Sequence, residues 1–205
     1  MYKVLIVDDH KSLCDSIENK LTSTGDFNIV GKITNALETE LYCKNFSPDL
    51  IFMDICTEER ASGLDAIKTI LEKYPEIKII AMSGFSEITY AQRAKEAGAN
   101  AFVSKSKSLD YFEEVAYGVM KGESYHQEQK NLILSKGEVK LTPREMEVLR
   151  LLCMPMTTKE IAAELDIHES TVKLHKVNML AKTGFVNTQD LIFYMINNGL
   201  INPLF

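Results

Sequence analysis

An α/β domain on a mostly parallel sheet, followed by a smaller all-α domain, is the fold class this sequence predicts. Three observations predict it. Over residues 1–121 five short apolar runs alternate with five amphipathic stretches, over 122–137 the periodicity fades, and beyond that only helical periodicity remains. Strand and helix in alternation imply crossover connections, which make neighbouring strands parallel and cover both faces of the sheet.

The strand patterns lie at 3–7, 28–33, 50–53, 77–82 and 101–103, and the helical patterns near 11–23, 35–46, 63–74, 86–97 and 109–120. Gly98 after Lys95-Glu96-Ala97 marks a helix end, and Pro48 and Pro75 each sit just ahead of a strand. Residues 122–137 are polar apart from Leu132-Ile133-Leu134 and read as a linker with room for a helical turn; no strand is expected after it. Residues 138–205 read as the second domain. Thr142 precedes Pro143 and stands three residues before Glu145, which joins an N-cap, a proline at the first helical position and a capping box. A helix from 143 to about 153 follows, then helices at 158–165, from 169 or 170 to 182, and from 188 or 189 to 198, the last ended by Gly199.

With 205 residues, 45% apolar and 25% charged, the chain has the composition of a soluble globular protein of two domains. No apolar stretch approaches the roughly 18 residues of a spanning helix, so a cytoplasmic protein without a membrane partner is expected. Cys14, Cys43, Cys56 and Cys153 show no metal-ligand spacing, so reduced thiols are expected and a zinc site is not. The net charge of −6 argues against indiscriminate polyanion binding, yet it is unevenly placed. Residues 1–121 hold 14 Lys+Arg against 19 Asp+Glu, whereas 171–189 hold Lys173, His175, Lys176 and Lys182 without one acid. Such a window can face phosphates.

Asp8 and Asp9 follow the run Val4-Leu5-Ile6-Val7, Asp54 follows Leu50-Ile51-Phe52-Met53, Ser83 follows Ile79-Ile80-Ala81-Met82, and Lys105 follows Ala101-Phe102-Val103-Ser104. In an α/β sheet ligands bind outside the carboxyl ends of the strands, so these positions converge at one edge. Paired carboxylates suit a hard cation such as Mg2+, and a carboxylate beside a lysine can act as nucleophile toward phosphorus. On these five residues, 1–121 resembles the receiver domain of two-component response regulators. The resemblance implies a flavodoxin-like (βα)5 fold and Mg2+-dependent transfer of a phosphoryl group from a sensor histidine kinase. It assigns Asp54 as phosphoacceptor and metal ligand, Asp9 as a direct ligand, Asp8 as a ligand through water, and the Cys56 backbone carbonyl as a further ligand. Ser83 and Lys105 would contact phosphoryl oxygens, and Phe102 matches the aromatic switch position. The loop from Ile55 to Gly63 departs from the pattern by one extra residue and by lacking a proline, and Ser106 stands where many receivers have proline.

By pattern, 159–165 is the supporting helix of a helix-turn-helix, Asp166-Ile167-His168 its turn, and Glu169 begins the second helix. Residues 138–201 resemble the LuxR-type DNA-binding domain of the NarL/FixJ group, on Leu141-Thr142-Pro143-Arg144-Glu145, Glu147-Val148-Leu149, Lys159-Glu160-Ile161-Ala162, Thr171-Val172-Lys173, His175, Leu180, Lys182, Gly184 and Asn187. This implies four helices, double-stranded DNA as partner, recognition around 169–182, and homodimer contact through the helix around 188–198. DNA contacts are expected from Thr171, Lys173, His175, Lys176 and Lys182, and dimer contacts from the stripe Leu191, Ile192 and Met195. Pro155 and Lys176 depart from the family pattern, the latter placing a charge beside the packed stripe of Val172, Met179 and Leu180.

The resulting expectation is a DNA-binding response regulator, not an enzyme. Two other readings stand beside it. An Asp-nucleophile phosphatase of haloacid-dehalogenase type would want a second Asp two residues after the nucleophile, where this chain has Cys56. A phosphorylation-independent transcription factor would carry the acidic pocket as a relic.

Overall fold

The computed structural model describes residues 1–58, 61–84, 90–126, 132–134, 137–139, 141–198 and 200–201, with backbone only for 132–134 and 137–138. They form two compact units.

In the first unit, β1 (Tyr2–Val7), β2 (Phe27–Ile33), β3 (Leu50–Asp54), β4 (Lys78–Ser83) and β5 (Ala101–Ser104) make one sheet in the order β2-β1-β3-β4-β5. Every described pairing in it is parallel. The helices are α1 (Lys11–Thr22), α2 (Thr39–Phe46), α3 (Gly63–Lys73), α4 (Tyr90–Glu96) and α5 (Leu109–Met120). Because side chains alternate along a strand, each strand feeds two cores. Val4, Ile6, Phe52, Ile80, Met82 and Val103 pack on one face with Ile17 and Leu21 of α1 and Phe112 and Val115 of α5. Leu5, Val7, Ile51, Met53, Ile79 and Ala81 pack on the other with Ile67 and Ile70 of α3 and Tyr90 of α4. This double burial explains why the strands read as unbroken apolar runs, and each buried aliphatic side chain stabilises the fold by about 1.5–3 kcal/mol.

The helical pattern expected at 35–46 divides into a 3-10 turn (Ala36–Glu38) and α2, because the Asn35 side chain accepts from the Leu37 amide and caps a separate turn. The pattern expected at 86–97 is seen as α4 from Tyr90, and 86–89 lie outside the described residues. The sheet order places the reversal of winding between β1 and β3, the point at which the ends of these strands open a crevice.

The second unit contains α6 (Pro143–Leu152), α7 (Thr158–Glu164), α8 (Glu169–Thr183) and α9 (Thr188–Asn197) around a core that includes Met146, Leu149, Ile161, Val172, Met179, Leu191 and Met195. Thr142 and Glu145 form the expected capping box on α6, and Thr157 and Glu160 form a second one on α7. The turn after α7 closes with Asp166 at φ 50° and the Ile167 amide bonded to the Ala162 carbonyl at 2.9 Å. Gly199 lies outside the described residues; α9 ends at the Asn198 cap.

One expectation is overturned: the segment read as strandless carries an antiparallel pair, β6 (Leu132–Leu134) and β7 (Gly137–Val139). A three-residue apolar run has no measurable period, so sequence alone does not separate a strand from a helical turn there. The start of the same segment also holds a fixed position. The Tyr125 amide donates to the Asn100 carbonyl at 3.1 Å and the Phe102 amide donates to the Tyr125 carbonyl at 2.9 Å, so the chain returns along the free edge of β5.

Gly118 on α5 makes that return possible, because a Cβ there would overlap the Tyr125 ring. Gly118→Ala is therefore expected to displace Tyr125 and destabilise the first unit by about 1–3 kcal/mol in urea unfolding. The double substitution Gly118→Ala with Tyr125→Ala should recover part of the loss; no recovery would mean that the glycine is required for another reason.

Candidate functional site

The ends of β1, β3 and β5 bring three carboxylates and an ammonium together. Lys105 Nζ donates to Asp54 Oδ2 at 2.7 Å and to Asp8 Oδ1 at 2.9 Å. Asp8 and Asp54 are buried, Asp54 to 2% exposure, while Asp9 is partly open to solvent. Ligand atoms of Asp8, Asp9, His10 and Asp54 all lie within 4.8 Å of one another. Two acidic oxygens lack a hydrogen bond of good angle: Asp8 Oδ2, with Lys105 Nζ at 2.9 Å, and Asp9 Oδ1, with His10 Nδ1 at 2.8 Å. Distance without angle leaves lone pairs free for a cation.

Burial raises the Asp54 carboxyl to about 6, against the opposing pull of Lys105. Burial alone would lower the Lys105 ammonium, but Asp54 and Asp8 together hold it above the ordinary lysine range. Ser83 is fully buried at the end of β4, and its carbonyl accepts from the Lys105 amide at 2.8 Å, which sets the two expected phosphoryl contacts side by side.

The loop after Asp54 is pinned at several points. The Cys56 amide bonds the Asp54 carboxylate, the Thr57 hydroxyl donates to the Ala61 carbonyl at 2.9 Å, and the Gly63 amide donates to the Ile55 carbonyl at 2.9 Å. Gly63 must be glycine, since a Cβ would overlap the Asp54 carbonyl oxygen. Glu58 accepts from the Thr34 hydroxyl at 2.7 Å, which occupies it away from the carboxylate cluster; Glu59 lies outside the described residues. Phe102 is buried in the same core cluster that contains Tyr90. Cys14, Cys43, Cys56 and Cys153 form no disulfide.

Sequence reasoning missed His10. Its imidazole stands 3.1 Å from Asp8, 2.8 Å from Asp9 and 3.3 Å from Lys105 Nζ. The available signal was its place directly after the acidic pair and at the N-cap of α1, where it forms no side-chain cap.

In the helical unit, the candidate DNA contacts divide by placement. Lys173 is exposed, whereas Thr171, His175 and Lys176 are half-buried. Lys176 Nζ donates to Thr158 Oγ1 at 3.3 Å, so this unusual lysine lies along α7. Lys182 Nζ bonds the buried Glu145 carboxylate at 2.7 Å, which ties α8 to the capping box of α6. The opposite side of α8 presents Leu174 and Val177, absent from the sequence expectation.

The stripe expected to contact a second copy lies largely in the unit's own core. Leu191 and Met195 are each 0% exposed there, and the half-buried Ile192 packs against it. A lone helical unit needs that stripe to close its core. The outer face of α9 carries Phe193 instead, 70% exposed, with Gln189, Asp190 and Asn197 around it.

Comparison with known proteins joins the two units. The family described as response regulator receiver domain matches residues 4–116, and that described as bacterial regulatory proteins, luxR family, matches 139–195. The response regulator protein VraR of Staphylococcus aureus is 30% identical over 206 residues, covering 97% of this chain and 98% of VraR. Among solved structures, RcsB from Salmonella enterica serovar Typhimurium bound to promoter rprA with the phosphomimetic BeF3- has a TM-score of 0.65 at 21% identity, covering 95% of this chain and 98% of that one. Two RcsB dimers bound to two parallel DNAs give a TM-score of 0.66 at 21% identity, covering 96% and 98%. Among the described residues no helix is long and apolar enough to cross a membrane.

The raised Asp54 carboxyl carries a pH dependence. A carboxyl that holds its proton more tightly when folded favours folding most below pH about 4, and that contribution is lost as pH rises through about 6. The rise from 3.8 to about 6 corresponds to about 3 kcal/mol at neutral pH. Metal-free Asp54→Asn is thus expected to resist urea better than the unaltered protein at pH 7.5, with the difference shrinking toward pH 4. Equal midpoints at pH 7.5 in the presence of chelator would contradict this.

Proposed function

Since this chain belongs to the two-component response regulators of the NarL/FixJ group, a receiver joined to a LuxR-type DNA-binding domain, we propose that it is a transcription factor switched by phosphorylation of Asp54. The observation that carries this reading is the Asp54 carboxylate, buried at the end of β3 and bonded to Lys105 beside Asp8. An Asp54 oxygen attacks the phosphorus of a kinase phosphohistidine; the P–N bond breaks, and the imidazole leaves with the electron pair and takes up a proton. Lys105 then turns from Asp54 Oδ2 to a phosphoryl oxygen, and the Ser83 hydroxyl donates to another.

The donor set fits Mg2+, a hard cation that takes oxygen ligands, because Asp8 Oδ2 and Asp9 Oδ1 are buried without a well-angled donor. Asp9, Asp54 and the Cys56 carbonyl would hold it directly and Asp8 through water. When bound, it would neutralise charge on the transferred oxygens. His10 contacts one of the two acidic oxygens, Asp9 Oδ1, and competes for it.

The proposed division of labour takes 1–121 as the receiver and 138–205 as the DNA-binding domain, with 122–137 between them. RcsB is solved as dimers bound to DNA, and the same assembly is proposed for this chain. Two half-site contacts joined in one dimer bind far more tightly than either alone, so a modest shift toward dimers acts as a switch.

Intact-protein mass spectrometry tests the acceptor. With a small-molecule phosphodonor and Mg2+ the protein should gain one phosphoryl group, and Asp54→Asn should gain none; a gain in the variant would place the acceptor elsewhere. The dimer contact is tested at Phe193. Phe193→Glu should leave the core intact yet weaken dimerisation of the phosphorylated protein by a factor on the order of 100, read by analytical ultracentrifugation, since each copy would lose one buried aromatic contact. Unchanged association would remove this face from the interface.

A further inference from the structure

The outward side of α8 is not uniformly polar. Ser170, Leu174, Val177 and Ala181 recur at i, i+4, i+7 and i+11, all exposed, directly opposite the buried Val172 and Met179. Leu174 is 57% exposed and Val177 63%, although burying them would be favourable, and Lys173 stands exposed beside them. Between Thr171 and Gln189 there is no acid to repel a phosphate backbone.

Lone exposed apolar residues need no explanation, but two adjacent branched ones on the outward stripe of a helix flanked by cations suit a particular ligand. In the major groove the only apolar group on a base edge is the C5-methyl of thymine. Resting on the DNA-binding reading above, we infer that Leu174 and Val177 are specificity-determining residues that read thymine methyl groups, while Lys173 serves the backbone or a guanine edge. The positive, acid-free surroundings fit a duplex better than an apolar protein surface. They also distinguish this helix from one that reads its site by polar bidentate contacts alone.

The test uses the full chain, phosphorylated with acetyl phosphate and Mg2+, to select duplexes from a randomised pool. Each thymine of the tightest selected site is then replaced by deoxyuridine, which keeps base pairing and removes only the methyl. At one or two thymines per half-site the replacement should weaken binding about fourfold, the factor corresponding to one buried methyl group. In Leu174→Ala or Val177→Ala, both surface truncations, the same replacement should cost nothing at the thymine that side chain touches. Three results would overturn the inference while sparing the DNA-binding reading: no thymine in the selected half-site, no effect of deoxyuridine at any position, or an effect that persists in both variants. Dissociation of the dimer by Leu174→Ala without any methyl effect would also overturn it, and would make the stripe a protein interface. Failure to select any duplex would overturn both readings.

Discussion

The ammonium of Lys105 is what permits the rest of the first unit's chemistry. Asp8 and Asp54 are buried acids only ångströms apart, and their mutual repulsion and desolvation oppose folding. One lysine, delivered from the end of β5, bonds both. Its pull on Asp54 is outweighed by burial, with Asp8 adding to the rise, so the Asp54 carboxyl stays raised. The site is thus one that added positive charge would relieve.

Sheet topology supplies the geometry. Because winding reverses between β1 and β3, Asp8 and Asp54 emerge on adjacent strands although 46 residues separate them. Their loops then secure the arrangement locally: Gly63 packs on the Asp54 carbonyl, and Glu58 and Thr57 tie the loop to Thr34 and Ala36.

In the helical unit the same charge economy reappears with a different outcome. Burial alone would raise the Glu145 carboxyl, but Lys182 and the Thr142 bonds hold it below the usual range, so this acid is a fixed anchor between α6 and α8. Lys182 and Lys176, which look equivalent to Lys173 in a list of charges, each bond a side chain of the same unit, although Lys182 is exposed like Lys173. A charge window in sequence says that cations are present; only packing says which of them are unengaged.

The sequence by itself determined the strand and helix order of the first unit, the capping box of Thr142 and Glu145, the acidic pair with Asp54 and Lys105, and the helix-turn-helix, because each rests on local periodicity, turn chemistry or a residue at a strand end. The tertiary structure alone decided the rest. It turned Leu191 and Met195 inward and left Phe193 outside, because an amphipathic stripe shows that a face is buried but not against what. It brought His10 onto the acids, since a rotamer is invisible to spacing. It paired Leu132 with Val139, because hydrogen bonds between short strands form across space and leave no period to read.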